Sequence, residues 1–133
     1  MIATADAFHA RCSWPGTPDS VARARDWTRL TLNEWGVHAT DAALLVVSEL
    51  ATNACCHTLS SVPGGQFTVR LSLYNDHIRV GVRDAGPRTG RIPTRRTPRL
   101  DSVHGRGLAL VDSLSLRWGP LKVGTGVFAE LPR

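Results

Sequence analysis

Two alternating stretches on either side of Asn75-Asp76 constrain this chain most. In QFTVRLSLYN (66–75), Phe67, Val69, Leu71 and Leu73 fall on one side and Thr68, Arg70, Ser72 and Tyr74 on the other. HIRVGVRD (77–84) repeats the pattern with Ile78, Val80 and Val82. Period-two alternation of this length belongs to strands with one buried face. Asn75-Asp76 supplies the turn between them, so the two stretches predict a hairpin.

The flanking sequence supplies the layer that covers it. PDSVARARDWTRLTLNEWG (18–36) carries Val21, Ala24, Thr28, Thr31 and Trp35 as a rough helical stripe, with Asp19 or Ser20 as cap and Gly36 as stop. TDAALLVVSELATNACCHT (40–58) predicts a second helix, with Thr40 or Asp41 as N-cap. It is apolar on much of its circumference, so burial on more than one side is expected. FHARCSWP (8–15) predicts an edge strand stopped by Pro15-Gly16, and SSVPGG (60–65) a turn. GLALVDSLSLRW (107–118) predicts a third helix through Leu108, Val111, Leu114 and Trp118, GPLKVGTG a turn, and VFAEL (127–131) a last strand. The expected architecture is an α+β two-layer sandwich in a single domain spanning 1–133. Its sheet is mixed but mostly antiparallel, with three helices on one face.

Composition excludes several classes. At 42% apolar and 20% charged residues, the chain reads as an ordinary globular protein. The longest strongly apolar run, AALLVV, is far short of the ~20 residues a spanning helix needs. An odd count of three cysteines and no leader pattern point to a reducing, cytoplasmic setting. Of sixteen basic residues only Lys122 is a lysine, and the net charge is +5. Codon bias in a GC-rich genome explains most of that arginine excess. Arginine's fork also suits phosphate and carboxylate.

Three places could carry chemistry. Glu49, Asn53 and His57 recur every fourth residue along one face of the second helix. A carboxylate and an amide one turn apart can hold a hydrated Mg²⁺ or orient a hydroxyl, yet such a stripe is also what any solvated helix face shows. Asp84 shares parity with Ile78, Val80 and Val82. A buried carboxylate needs a donor, such as an exocyclic amine on a base, and Gly86 leaves room for one; Asp-Ala-Gly-Pro reads equally well as a turn. HGRGLALV (104–111) sets Gly105, Arg106 and Gly107 before a helix start, where free N–H groups and the helix dipole favour a phosphate. A flexible hinge and cap explains the same residues. The stretch between, AGPRTGRIPTRRTPRLDSV (85–103), is too long and too rich in Pro, Gly and Arg to be an ordinary connection.

Taken in order, ELATNACCH, RDAGP and HGRGLALV resemble the N box and the two glycine boxes of the GHKL ATPases, the superfamily of gyrase, chaperone, histidine kinase and MutL domains. The ExxTNAxxH form, the compact size and the terminal RWG…VFAEL resemble the stand-alone anti-sigma factor serine kinases of bacteria, over about Phe8 to Leu131. The resemblance implies roles. Asn53 would hold Mg²⁺ against the phosphates of ATP, and Glu49 would be the general base. Asp84 would accept from adenine beside Gly86. Gly105, Arg106, Gly107 and Leu108 would cradle the phosphates, and residues 87–104 would form the ATP lid. The implied partner is an anti-sigma factor antagonist of the STAS type, with a sigma factor as a second, and homodimers are common in the subgroup. The sequence departs from the subgroup at Arg88, where a second glycine is usual, and at the last strand, where Thr125 and Gly126 take the places of Lys and Thr; that threonine supports the adenine site, and the resemblance implies that Thr125 would substitute for it in nucleotide binding from one residue away, or that the contact is lost. Cys55-Cys56 reads as a pair of small core residues. A nucleotide-binding regulator that sequesters its partner without phosphotransfer is the alternative, and Glu49 argues for chemistry. A nucleic-acid module fits the charge, but one Tyr and three Phe offer no stacking platform, so direct nucleic-acid binding is not expected.

Overall fold

The computed structural model describes residues 8–58, 61–86 and 108–133. The hairpin lies at the centre of the architecture. β1 (Phe8–Pro15), β2 (Gln66–Leu73), β3 (His77–Arg83), β4 (Arg117–Pro120) and β5 (Gly126–Pro132) form one sheet in the order β1-β2-β3-β5-β4. Every pairing is antiparallel. The register sets Leu71 opposite Val80 and Val80 opposite Ala129. The apolar parity of each strand therefore falls on one face, where Phe67, Val69, Leu71, Ile78, Val80, Val82, Ala129 and Leu131 are buried.

Helices cover that face. α1 (Pro18–Glu34) begins at Pro18, which needs no N–H partner in the first turn, so Thr17 rather than Asp19 or Ser20 is its cap residue. It ends where Gly36 takes φ +80°, a conformation glycine adopts freely. Its buried side is small: Ser20, Ala24, Thr28, Thr31 and Leu32. Small side chains let it lie close against α2 (Asp41–His57), and Arg25 donates to the Ser48 hydroxyl across the pair at 3.1 Å. In α2, Thr40 accepts from the Ala43 N–H at 3.1 Å as the true cap. Val46, Val47, Leu50, Ala51 and Ala54 are buried, and α2 reaches β2, β3 and β5 at once. A helix apolar on most sides is what this central place requires.

The third helix is shorter than the sequence predicts. Among the described residues it covers 108–114 and ends there, with Leu108 and Val111 buried. Arg117 and Trp118, expected at its end, instead form the edge strand β4 with Gly119 and Pro120. Residues 113–118 alternate Ser-Leu-Ser-Leu-Arg-Trp, so a strand reading competes with the helical one. β5 decides the contest by pairing with the segment, and the Leu116 N–H donates to the Glu130 carbonyl at 2.7 Å. Trp118 faces the helices and donates from Nε1 to Asp112 Oδ1 at 2.7 Å.

Candidate functional site

The site is built where β3 ends beneath the helix layer. Asp84 follows the last residue of β3 and is half-buried. Its backbone N–H donates to the Thr125 carbonyl at 3.0 Å, and the Thr125 hydroxyl donates to the Asp84 carbonyl at 3.1 Å. These reciprocal bonds extend the β3–β5 ladder by one residue and fix the Asp84 backbone. The carboxylate is oriented separately, because Asp84 Oδ1 accepts from the Gly86 N–H at 2.8 Å. No other described residue engages the carboxylate, so its second oxygen is available as an acceptor.

Gly86 has φ +99°, and a Cβ built there would meet nothing within 4 Å. The position needs glycine for its backbone, and among the described residues none crowds the added Cβ.

A neighbouring constraint was not visible as such in the sequence. Gly126 has φ +142°, and a Cβ there would overlap the Val82 carbonyl oxygen and lie 2.9 Å from Arg83 Cα. It stands opposite Arg83 in the β3–β5 register. Glycine at this position lets the strands close at the end where Asp84 and Thr125 meet. The Gly-Thr-Gly text before an alternating strand was the available signal, but its meaning depends on β3 lying alongside.

On α2, Glu49 and Asn53 are both half-buried, one turn apart, and neither bonds to another described residue. Polar side chains part-way into a core are normally hydrogen-bonded, so an unengaged pair leaves acceptors free for something outside the protein. Both offer oxygen donors, which is what Mg²⁺ prefers alongside water and phosphate. Among the described residues no cluster of three or more His, Cys, Asp or Glu could hold a metal ion. Expected as the third member of the stripe, the His57 side chain lies outside the described residues, as do Gly105, Arg106, Gly107, Arg88 and the proposed lid at 87–104. Leu108 is buried at the start of the third helix.

The two adjacent cysteines differ. Cys55 is buried and donates its thiol weakly to the Thr17 carbonyl at 3.5 Å, tying α2 to the cap of α1. Burial pushes its thiol up to about 11. Cys56 is exposed and is not a core residue. Side chains one residue apart on a helix point ~100° away from each other.

The described residues thus give a sheet covered by helices on one face, with a carboxylate and a glycine turn at a strand end and two unengaged polar side chains on the central helix. A family model for the histidine kinase-like ATPase domain matches residues 14–118, most of the chain, and the protein belongs to that family. It is therefore an ATP-binding domain of the GHKL type, a class that works as ATP-dependent kinases and ATPases. No curated protein matches the chain significantly. Thr125 and Gly126 lie beyond the matched residues, and no described helix is long and apolar enough to cross a membrane.

Proposed function

We propose that the protein is an ATP- and Mg²⁺-dependent serine/threonine protein kinase of the anti-sigma factor type, acting on a STAS-type antagonist and sequestering a sigma factor. The observation that supports this best is the unengaged Glu49–Asn53 pair on the central helix of an ATPase-family fold. A domain that only held nucleotide would gain little from a carboxylate there.

In this reading Asp84 accepts from the adenine amine through its free oxygen, and Thr125 holds the Asp84 backbone in place. Asn53 supplies an oxygen to Mg²⁺, which neutralises phosphate charge when bound. Glu49 takes the proton of an incoming serine hydroxyl as the serine oxygen forms its bond to the γ-phosphorus, and ADP departs with the bridging oxygen.

Calorimetry with ATP, with and without Mg²⁺, tests the binding half. Wild type should bind in the micromolar to sub-millimolar range only with Mg²⁺, and Asn53→Ala should lose that dependence. The Glu49→Gln protein should still bind ATP but transfer no phosphate to a STAS-type acceptor. If Glu49→Gln also loses ATP binding, Glu49 serves the fold. If wild type binds no ATP, the protein is a sequestering regulator with a dead site.

A further inference from the structure

The face of the sheet away from the helices has a different character. By strand parity it presents Arg11, Arg70, Arg79, Arg83 and Arg117, against one carboxylate, Glu130, among the described residues. Part of this charge is compensated. Arg79 reaches Glu130 at 2.9 Å and Arg117 at 3.1 Å. Arg83 donates to the Val123 carbonyl at 3.3 Å.

Arg11 and Arg70 are different. They stand directly opposite each other across β1 and β2. Both are exposed, and neither reaches a carboxylate among the described residues. Like charges directly opposed on a sheet destabilise it, because their Cβ atoms are only ~4.5–5.5 Å apart. An open cavity of about 520 Å³ lies beside them, lined by His9, Ala10, Arg11 and Arg70. β1 is also an edge strand of the sheet.

Two opposed, exposed guanidiniums on one face make a receptor for carboxylates, which a guanidinium binds in bidentate fashion. We propose that this face, at the β1 edge, binds an acidic segment of a protein partner, its carboxylates bridging Arg11 and Arg70. Single-stranded nucleic acid fits less well, because the rings on this face are already covered: Arg79 lies 4.0 Å over Phe128, and His77 stacks on Tyr74. A second copy of the chain docking face to face would set arginines against arginines. The proposal does not depend on the nucleotide reading, since the Asp84 end and α2 lie on the helix side.

The test is fluorescence anisotropy of a labelled oligoglutamate peptide with the full chain. Arg11→Glu/Arg70→Glu should lose at least about tenfold in affinity. Arg23→Glu/Arg29→Glu removes equal net charge on α1, away from the face, and should change affinity by no more than about twofold, as screened charges allow. Equal loss in both variants would overturn the proposal as general charge attraction. Tighter binding of an oligothymidylate of matched charge, lost with the same two arginines, would assign the face to nucleic acid. A wild-type dimer in sedimentation that dissociates in Arg11→Glu/Arg70→Glu would assign it to a second copy. In Arg11→Gln and Arg70→Gln the melting temperature should hold or rise, since a repulsion is relieved. A fall in both would mean that the arginines serve the fold.

Discussion

Gly126→Ala probes how the Asp84–Thr125 end of the sheet is held. Alanine at φ +142° sits in a region that costs of order 1–3 kcal/mol for a residue with a side chain. The added methyl also meets the Val82 carbonyl and Arg83 Cα. Both are backbone, so no rotamer change relieves the overlap. Either the strands hold and overpacking adds ~1–3 kcal/mol, or they part. Parting would break the two Asp84–Thr125 bonds, worth ~0.5–1.5 kcal/mol each. Both routes lead to a loss of about 3 kcal/mol, a large part of the ~5–15 kcal/mol that holds a domain folded. For a chain of 133 residues this is a drop of roughly 10 °C in melting temperature, from an unfolding entropy of ~2.1 cal/mol/K per residue. Gly36→Ala is the control. It has φ +80° with nothing within 4 Å of the new methyl, so only the conformational cost applies, about 1 kcal/mol. Thermal denaturation of both variants, with ATP calorimetry on Gly126→Ala, measures the difference. The reasoning fails if Gly126→Ala is no less stable than Gly36→Ala, or if it binds ATP like wild type.

Three further outcomes are expected. On the proposed role of Asp84, Asp84→Asn keeps an oxygen for the Gly86 N–H but turns an NH₂ towards the base, so ATP affinity in calorimetry should fall about 10- to 100-fold, as for a lost hydrogen bond to a charged group. The Arg117 and Arg79 guanidiniums hold the Glu130 carboxyl below its ordinary 4.5. Its contribution to stability is therefore complete above that pH and is lost as acid protonates it. Denaturant melts between neutral pH and pH ~3 should show Glu130→Gln losing less stability over that range than wild type. Iodoacetamide at neutral pH should label exposed Cys56 in the native protein and spare Cys55, whose thiol is buried and pushed up to about 11; mass spectrometry of the labelled peptide reads the site.

What was legible followed the strength of local periodicity. β1 runs over Phe8–Pro15 as the sequence predicts, and the hairpin register follows from Phe67, Val69, Leu71 and Leu73 alternating against Ile78, Val80 and Val82. α2 was legible because Thr40 caps it and its apolar residues leave no strand alternative. α1 starts at Pro18 as the sequence predicts, but its cap is Thr17 rather than Asp19 or Ser20, because Pro18 at the first helical position is the stronger signal. β4 was illegible because four residues on a sheet edge take their structure from β5, not from their own pattern. At the site, Asp84 and Gly86 stood out as a carboxylate and a glycine at a strand end. The bond from Thr125 to Asp84 joins residues far apart in sequence, so no local pattern could specify it.

β5 is the last strand in sequence, yet it lies inside the sheet between β3 and β4. Until residues 126–132 leave the ribosome, β3 is an open edge whose apolar face, with Ile78, Val80 and Val82, is only partly covered. Exposed apolar edges of this kind template wrong pairings. Non-local strand pairing is also the slow part of folding. Nascent chains stalled before residue 126 should therefore depend on chaperones and be open to protease, and both sensitivities should end together once β5 inserts. The step that closes the sheet between β3 and β4 thus coincides with the arrival of the strand that also brings Thr125 to Asp84.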